Sequence, residues 1–380
     1  MMDLFTLQKS LLFIVFIGIG LLLKYKFNGS AELNGVKKII LNLALPATIF
    51  IALMGIQIKI DLLILPIVAL ILNVILFYIF PYILPALGIK KESPKYRTAQ
   101  LLIPSLAPGL SCFSFILEFL GEDYLAKAAM ADLGNKVFVL LILYVVAMRF
   151  YYTLNKKTSR SNGTKIKELL LALVSEPVNL FIGVALILVF LGINMNTLPY
   201  VVGESMQRLS LMMTPLVLLY IGLAVNIKKE QFFQIFGMLS LRAGFVVFFA
   251  AIIITATGLN IANDILLLLV FSLSSCSFWP FAHIAAVESL ENGVAKKKRT
   301  FNSDFAIGLL ALSFPFSVLV ILGVLSSGTV FTSVTSILVL GAVLSLPGIA
   351  FIGYNYVSKM ALKGSKSVKR AYNLPVKEGS

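Results

Sequence analysis

Of 380 residues, 59% are apolar, about 224 positions, against 32 basic and 17 acidic residues. Soluble domains are about a quarter charged and a spanning helix takes roughly 20 apolar residues. The composition therefore excludes a soluble domain and predicts an all-α polytopic membrane protein. The net charge of +15 sits in short tracts between apolar runs, as the positive-inside rule describes, so the implied partner is the lipid bilayer and not nucleic acid. Cys112 and Cys276 lie inside apolar runs and offer neither a disulfide framework nor a metal-ligand spacing. No cofactor or metal is expected.

Runs of spanning length lie at 4–23, 36–55, 62–87, 99–120, 124–147, 177–193, 205–225, 234–257, 263–288, 303–325 and 329–353, eleven in all. The first has Lys24 and Lys26 after it rather than before and no small-x-small cleavage site, so it reads as a transmembrane helix, not a signal peptide. An outside N-terminus puts 26 of the 32 basic residues on the cytoplasmic side and only Lys59 in the opposite loops. This asymmetry predicts N-out, C-in insertion in the plasma (inner) membrane. The polar stretch 151–167 reads as a cytoplasmic linker between five-helix units at 1–150 and 168–325. An extra transmembrane helix at 326–357 and a basic tail at 358–380 follow. With no GxxxxGKS or GxxxxGKT phosphate loop, a secondary transporter or channel is favoured.

At an offset of 169 residues Pro46 falls on Pro215, Gln57 on Asn226, Ile58 on Ile227, Lys59 on Lys228 and Asp61 on Glu230. At 172, Pro108 falls on Pro280 and Asp132 on Asp304. An odd number of spans per half inverts the second half relative to the first, so the chain reads as two inverted five-helix repeats. The fourth helix, Gln100-Leu-Leu-Ile-Pro104-Ser-Leu-Ala-Pro108-Gly109-Leu-Ser111, and the ninth, Ser275-Cys-Ser277-Phe-Trp-Pro280, concentrate proline and hydroxyls near mid-membrane. Proline frees an upstream carbonyl, and in lipid such groups persist only in protein or beside a polar cavity. Paired broken helices therefore point to a substrate site around Pro108, Ser111, Ser275, Ser277 and Pro280; the other reading is two tolerated kinks. On the first reading, Pro108→Ala straightens the fourth helix.

Asp132, Asn135 and Lys136 share one helical face, with Asp132 about 12 Å into the membrane. Ionisable groups at that depth are functional candidates, unless Asp132 and Lys136 form a neutralising structural pair. Asp304 reads as a cap of the tenth helix. Arg242 binds an anion if the eighth helix begins near Gln231; the favoured reading starts that helix later, so that the side chain snorkels to the interface. Glu204 with Arg208, and Glu176 before Pro177, read as structural. His283 is the only histidine and has no relay chain.

Asn42-Leu-Ala-Leu-Pro46, Met130-Ala-Asp132-Leu-Gly134-Asn135, Glu176-Pro177 and Leu211-Met-Met-Thr-Pro215 followed by Ile221-Gly222 resemble the auxin efflux carrier family of permeases, over about residues 4–325. The resemblance implies ten helices in two inverted repeats, with crossed, broken fourth and ninth helices, related to bile-acid sodium symporters. It also implies a small organic anion as substrate, and adds Asn42, Pro46 and Pro215 to the candidate substrate-binding residues. The segment Val330 to Val357 and the absence of a long central hydrophilic loop depart from the pattern.

The leading expectation is a secondary carrier for a small organic anion, rocking around the paired broken helices. Its coupling ion is a proton or sodium, and a second copy of the chain is a candidate partner. A sodium symporter with oxygen ligands from Ser111, Asp132, Asn135 and Ser275, and a non-transporting receptor of the same fold, are the alternatives. No HExxH or GxSxG is present, so no enzyme is expected.

Overall fold

The structure, a computed structural model, describes residues 4–27, 29–55, 60–155, 171, 175, 177–224, 231–291, 294–295 and 298–372. The linker at 156–167, Glu176, the repeat pairings of residues 57–59 with 226–228 and of Asp61 with Glu230, and the tail from 373 lie outside these residues in whole or in part. Every regular element described is a helix. α1 (Leu4–Leu23) precedes α2 (Ser30–Ile39), which runs through a π-helical turn (Ile40–Ala44) into α3 (Leu45–Gly55). α4 (Ile64–Ile83) leads to an interrupted crossing made of α5 (Pro94–Leu102), α6 (Pro108–Ser111) and α7 (Phe113–Leu120). α8 (Glu122–Val137) passes through a second π turn (Phe138–Ile142) into α9 (Leu143–Asn155). Then come α10 (Pro177–Phe190), α11 (Tyr200–Leu211), α12 (Met213–Ala224) and α13 (Phe232–Thr257). A second interrupted crossing, α14 (Ala262–Ser272) and α15 (Trp279–Leu290), precedes α16 (Ser303–Ser326) and α17 (Val334–Tyr372).

Among the described residues seven helical segments are long and apolar enough to cross a membrane, and three shorter apolar helices, Leu11–Leu23, Pro177–Phe190 and Ala262–Ser272, lie at spans read from the sequence. The chain is a multi-pass helical membrane protein. The interrupted crossings are the fourth and ninth spans, broken where proline and serine cluster.

Lipid is as apolar as leucine, so helices in it associate through close packing of small residues. α1 docks on α12 where Gly20 faces Gly222; a Cβ on either would overlap the other helix's backbone. The extra C-terminal helix is held the same way: a Cβ on Gly244 of α13 would overlap Ser345 and the Gly341 carbonyl of α17. Leu338, Val343 and Ile349 on α17 stay exposed, as a lipid-facing stripe should. α5 starts with Ser93, whose Oγ accepts from Tyr96 N (3.2 Å), and with Pro94 in the first turn, where a missing N–H costs nothing. The tenth-span cap is Asn302, whose Oδ1 accepts from Phe305 N (2.8 Å). This corrects the reading of Asp304, which lies two positions further in, in the first turn.

Candidate functional site

The two breaks, residues 103–107 and 273–278, cross in the interior of the bundle, and the protein satisfies their backbone from both sides. In the second break three consecutive N–H groups donate to serine hydroxyls, two on helices α6 and α16 and one in the first break: Ser275 N to Ser111 Oγ (3.1 Å), Cys276 N to Ser313 Oγ (3.3 Å) and Ser277 N to Ser105 Oγ (2.9 Å). Ser111 and Ser105 in turn donate to Ala107 O (2.8 Å) and Leu102 O (2.6 Å). In the first break Ala107 N donates to Ser275 O (2.8 Å). Leu106 is bonded at both ends by Asn135, whose Oδ1 accepts from Leu106 N (3.1 Å) and whose Nδ2 donates to Leu106 O (2.9 Å). An asparagine thereby replaces the neighbouring strand or turn that irregular backbone otherwise needs.

Arg242 completes the crossing. Its guanidinium donates from Nε to Ile103 O (2.8 Å), and from its two terminal nitrogens to Ser274 O (2.9 Å) and Ser105 O (3.2 Å). These carbonyls follow the C-terminal ends of α5 and α14, each carrying roughly half a negative charge from the helix dipole. One guanidinium offsets both. α13 begins at Phe232, so Arg242 is deep and only 2% exposed; the snorkelling expectation is overturned because the helix starts early enough to carry the side chain to the breaks.

Asp132, Asn135 and Lys136 come together as the spacing requires. Asp132 Oδ1 accepts from Asn135 Nδ2 (2.8 Å), Lys136 Nζ stands 3.6 Å from Asp132 Oδ2, and Lys136 also donates to Asn179 Oδ1 of α10 (2.9 Å). Asn73 of α4 donates to Asn135 Oδ1 (3.1 Å), while its own Oδ1 is buried without a hydrogen-bond partner. Ser111, Ser275 and Ser277 meet at the crossing. Asn42 is exposed on the first π turn, and Pro46 and Pro215 lie within α3 and α12; none of the three joins the described hydrogen bonds of the crossing. Pro280 is buried in the first turn of α15. His283 donates to Val139 O in the second π turn (2.9 Å), with Tyr144 edge-on. Glu204 and Arg208 pair on the surface at 2.8 Å.

Two expectations change. Ser111's hydroxyl is already engaged twice, so it is a staple between the breaks rather than a spare ligand. Pro108 occupies the first turn of α6, where a missing N–H costs nothing, while Asn135, Arg242 and the serines bond the backbone of the breaks. Pro108→Ala should therefore leave unfolding temperature and transport close to those of the unmodified protein, which a thermal melt and an uptake assay read together. A straightened, inactive variant would restore the proline-centred account.

Sequence reasoning passed over Ser105 and Asn73. Asn73 had a visible signal, a lone amide in an otherwise apolar span; for Ser105 the signal was its place in the proline and serine cluster, at the 172-residue repeat offset from Ser277.

A cavity of about 970 Å³ opens among α4, α8, α13 and α14, with Lys127, Asp264, Ala131 and Ser272 in its lining. Lys127 and Asp264 close the gap between α8 and α14 by an ion pair at 2.6 Å.

No family model matches the chain. Over 139 residues it is 27% identical to a protein of Methanocaldococcus jannaschii named as an uncharacterized transporter. The chain resembles a transporter. The match covers 37% of this chain and 42% of that relative, so it spans well under two thirds of the relative's length.

Proposed function

We propose that the protein is a secondary carrier for small organic anions, of the auxin efflux carrier kind, with residues 1–150 and 168–325 as two inverted halves. The observation that carries the reading is the crossing of two broken spans in the bundle interior, their breaks hydrogen-bonded to each other. Helices that stop and restart in mid-membrane are the usual construction of carrier sites. The contact of Ser277 with Ser105, 172 residues apart, matches the offset of the sequence repeat and supports the inverted pairing. The similarity to a transporter points the same way. α15 restarts at the crossing with its positive end toward it, an arrangement that favours an anion. In this reading the protein lies in the plasma membrane with its N-terminus outside, and one half rocks against the other. Purified protein in liposomes should take up or exchange a mono- or dicarboxylate; no movement of any, with or without ion gradients, would sink the reading.

Sodium coupling is a second reading favoured by one observation, the unpartnered Asn73 Oδ1 beside Asn135 and Asp132, since a buried oxygen without a donor suits a cation. Uptake in sodium against choline medium separates the two. The carboxylate of Asp132 is tested by a cycle. If it acts in transport, Asp132→Asn stops uptake and adding Lys136→Gln does not restore it; if the two are a neutralising pair, the double variant recovers.

A further inference from the structure

The backbone groups that broken helices were expected to offer a substrate are occupied. Ile103, Ser105, Leu106, Ala107, Ser274 and Ser275 carbonyls all accept bonds from the protein, and Arg242 is turned to three of them. An anion at the crossing needs another cation. Lys37 is available. It sits in α2, three residues before the first π turn, half-buried, and its Nζ lies 4.3 Å from the centroid of the Phe278 ring in the second break. No carboxylate partners it among the described ion pairs. Phe278 is 51% exposed and Trp279 36% exposed, and both stand where a helix restarts after the second break. A lysine ammonium is strongly hydrated and carries three donors; a ring face attracts it only weakly and engages none of those donors in a hydrogen bond.

We infer that Lys37 is the cation that receives the carboxylate head of the transported anion, exchanging the Phe278 ring for an ion pair beside Trp279. The inference rests on the carrier reading and names the binding group within it. It also gives the π turn at Ile40–Ala44 a role, since an extra residue in a helical turn re-aims the side chains on either side, and such bulges recur at functional sites. Lys38, the next residue, is exposed and points elsewhere on the helix.

Trp279 is the only tryptophan in the chain, so tryptophan fluorescence, excited at wavelengths that tyrosine does not absorb, reports on this spot alone. The intact protein in detergent is titrated with acetate, propionate and succinate at constant ionic strength, with the matching neutral amides as controls. Trp279 emission and thermal unfolding are read together. The expected result is saturable binding of at least one carboxylate but of no amide. Affinity should fall about ten-fold or more in Lys37→Gln, as loss of a charge-assisted bond implies. Lys37→Arg should bind within a few-fold of the unmodified protein, and Lys38→Gln should be unchanged. Should Lys37→Gln fail to fold, Lys37→Met keeps the packed stem and takes its place. Undiminished affinity without the Lys37 charge overturns the inference and leaves the carrier reading standing. No saturable response of the unmodified protein to any carboxylate, by either readout, removes both.

Discussion

Arg242→Met should be the most damaging single substitution in this protein. Methionine keeps the length and apolar stem of the side chain but strands the carbonyls of Ile103, Ser105 and Ser274, at 2.8, 3.2 and 2.9 Å from the guanidinium. Each stranded buried acceptor costs about 1–3 kcal/mol, and the measured range in membranes sits toward the lower end because the unfolded chain also finds partners. Two converging helix C-termini also lose the charge that offsets them. A total loss of about 3 kcal/mol or more is expected, seen as a large fall in the unfolding midpoint of purified protein and uptake reduced to background. Arg242→Lys should be intermediate, since a single ammonium cannot span three carbonyls on two segments as a planar fork does. Stability of Arg242→Met equal to that of the unmodified protein would show that the breaks hold without it.

Asn135→Ala should be nearly as severe, and for a different reason. Asn135 bonds both the N–H and the C=O of Leu106 and also contacts Asp132 and Asn73. Alanine leaves one backbone donor and one backbone acceptor of the first break without partners, at about 1–3 kcal/mol each. It also frees Asp132 from the amide that orients it. Asn135→Asp separates these effects: it retains an acceptor for Leu106 N but meets Leu106 O and Asp132 with negative charge, so it should be worse than alanine. Purification yield and thermal unfolding give the stability order, and uptake by the folded fraction gives the transport loss. An aspartate variant as stable as the unmodified protein would mean that Asn135 does not clasp Leu106.

What composition decides, it decides because burial in lipid is a property of segments. About 20 apolar residues in a row need no partner to be read, and the described helices fall on the runs that the sequence marks. The interruptions were legible for a similar local reason: Pro104, Pro108 and Pro280 lack the N–H that a regular ladder in lipid requires. The common face of Asp132, Asn135 and Lys136 follows from helical spacing alone.

The identity of the bonds at the crossing was not legible. Arg242 reaches carbonyls 139, 137 and 32 residues away, and no local pattern encodes which carbonyls a guanidinium will meet. Even its depth hung on whether α13 begins near Gln231 or a turn or two later, a boundary that an apolar run does not mark. Proline was overvalued for the same reason. The sequence shows where hydrogen bonds are missing within a segment, while Asn135, Ser105, Ser111 and Arg242 supply them from other segments. The sequence by itself determined a helical membrane protein, its spans and the two places where spans break. Tertiary structure decided that those breaks cross, that one arginine and one asparagine hold them, and that Lys37 is left facing Phe278, because each of these depends on distances between segments far apart in the chain.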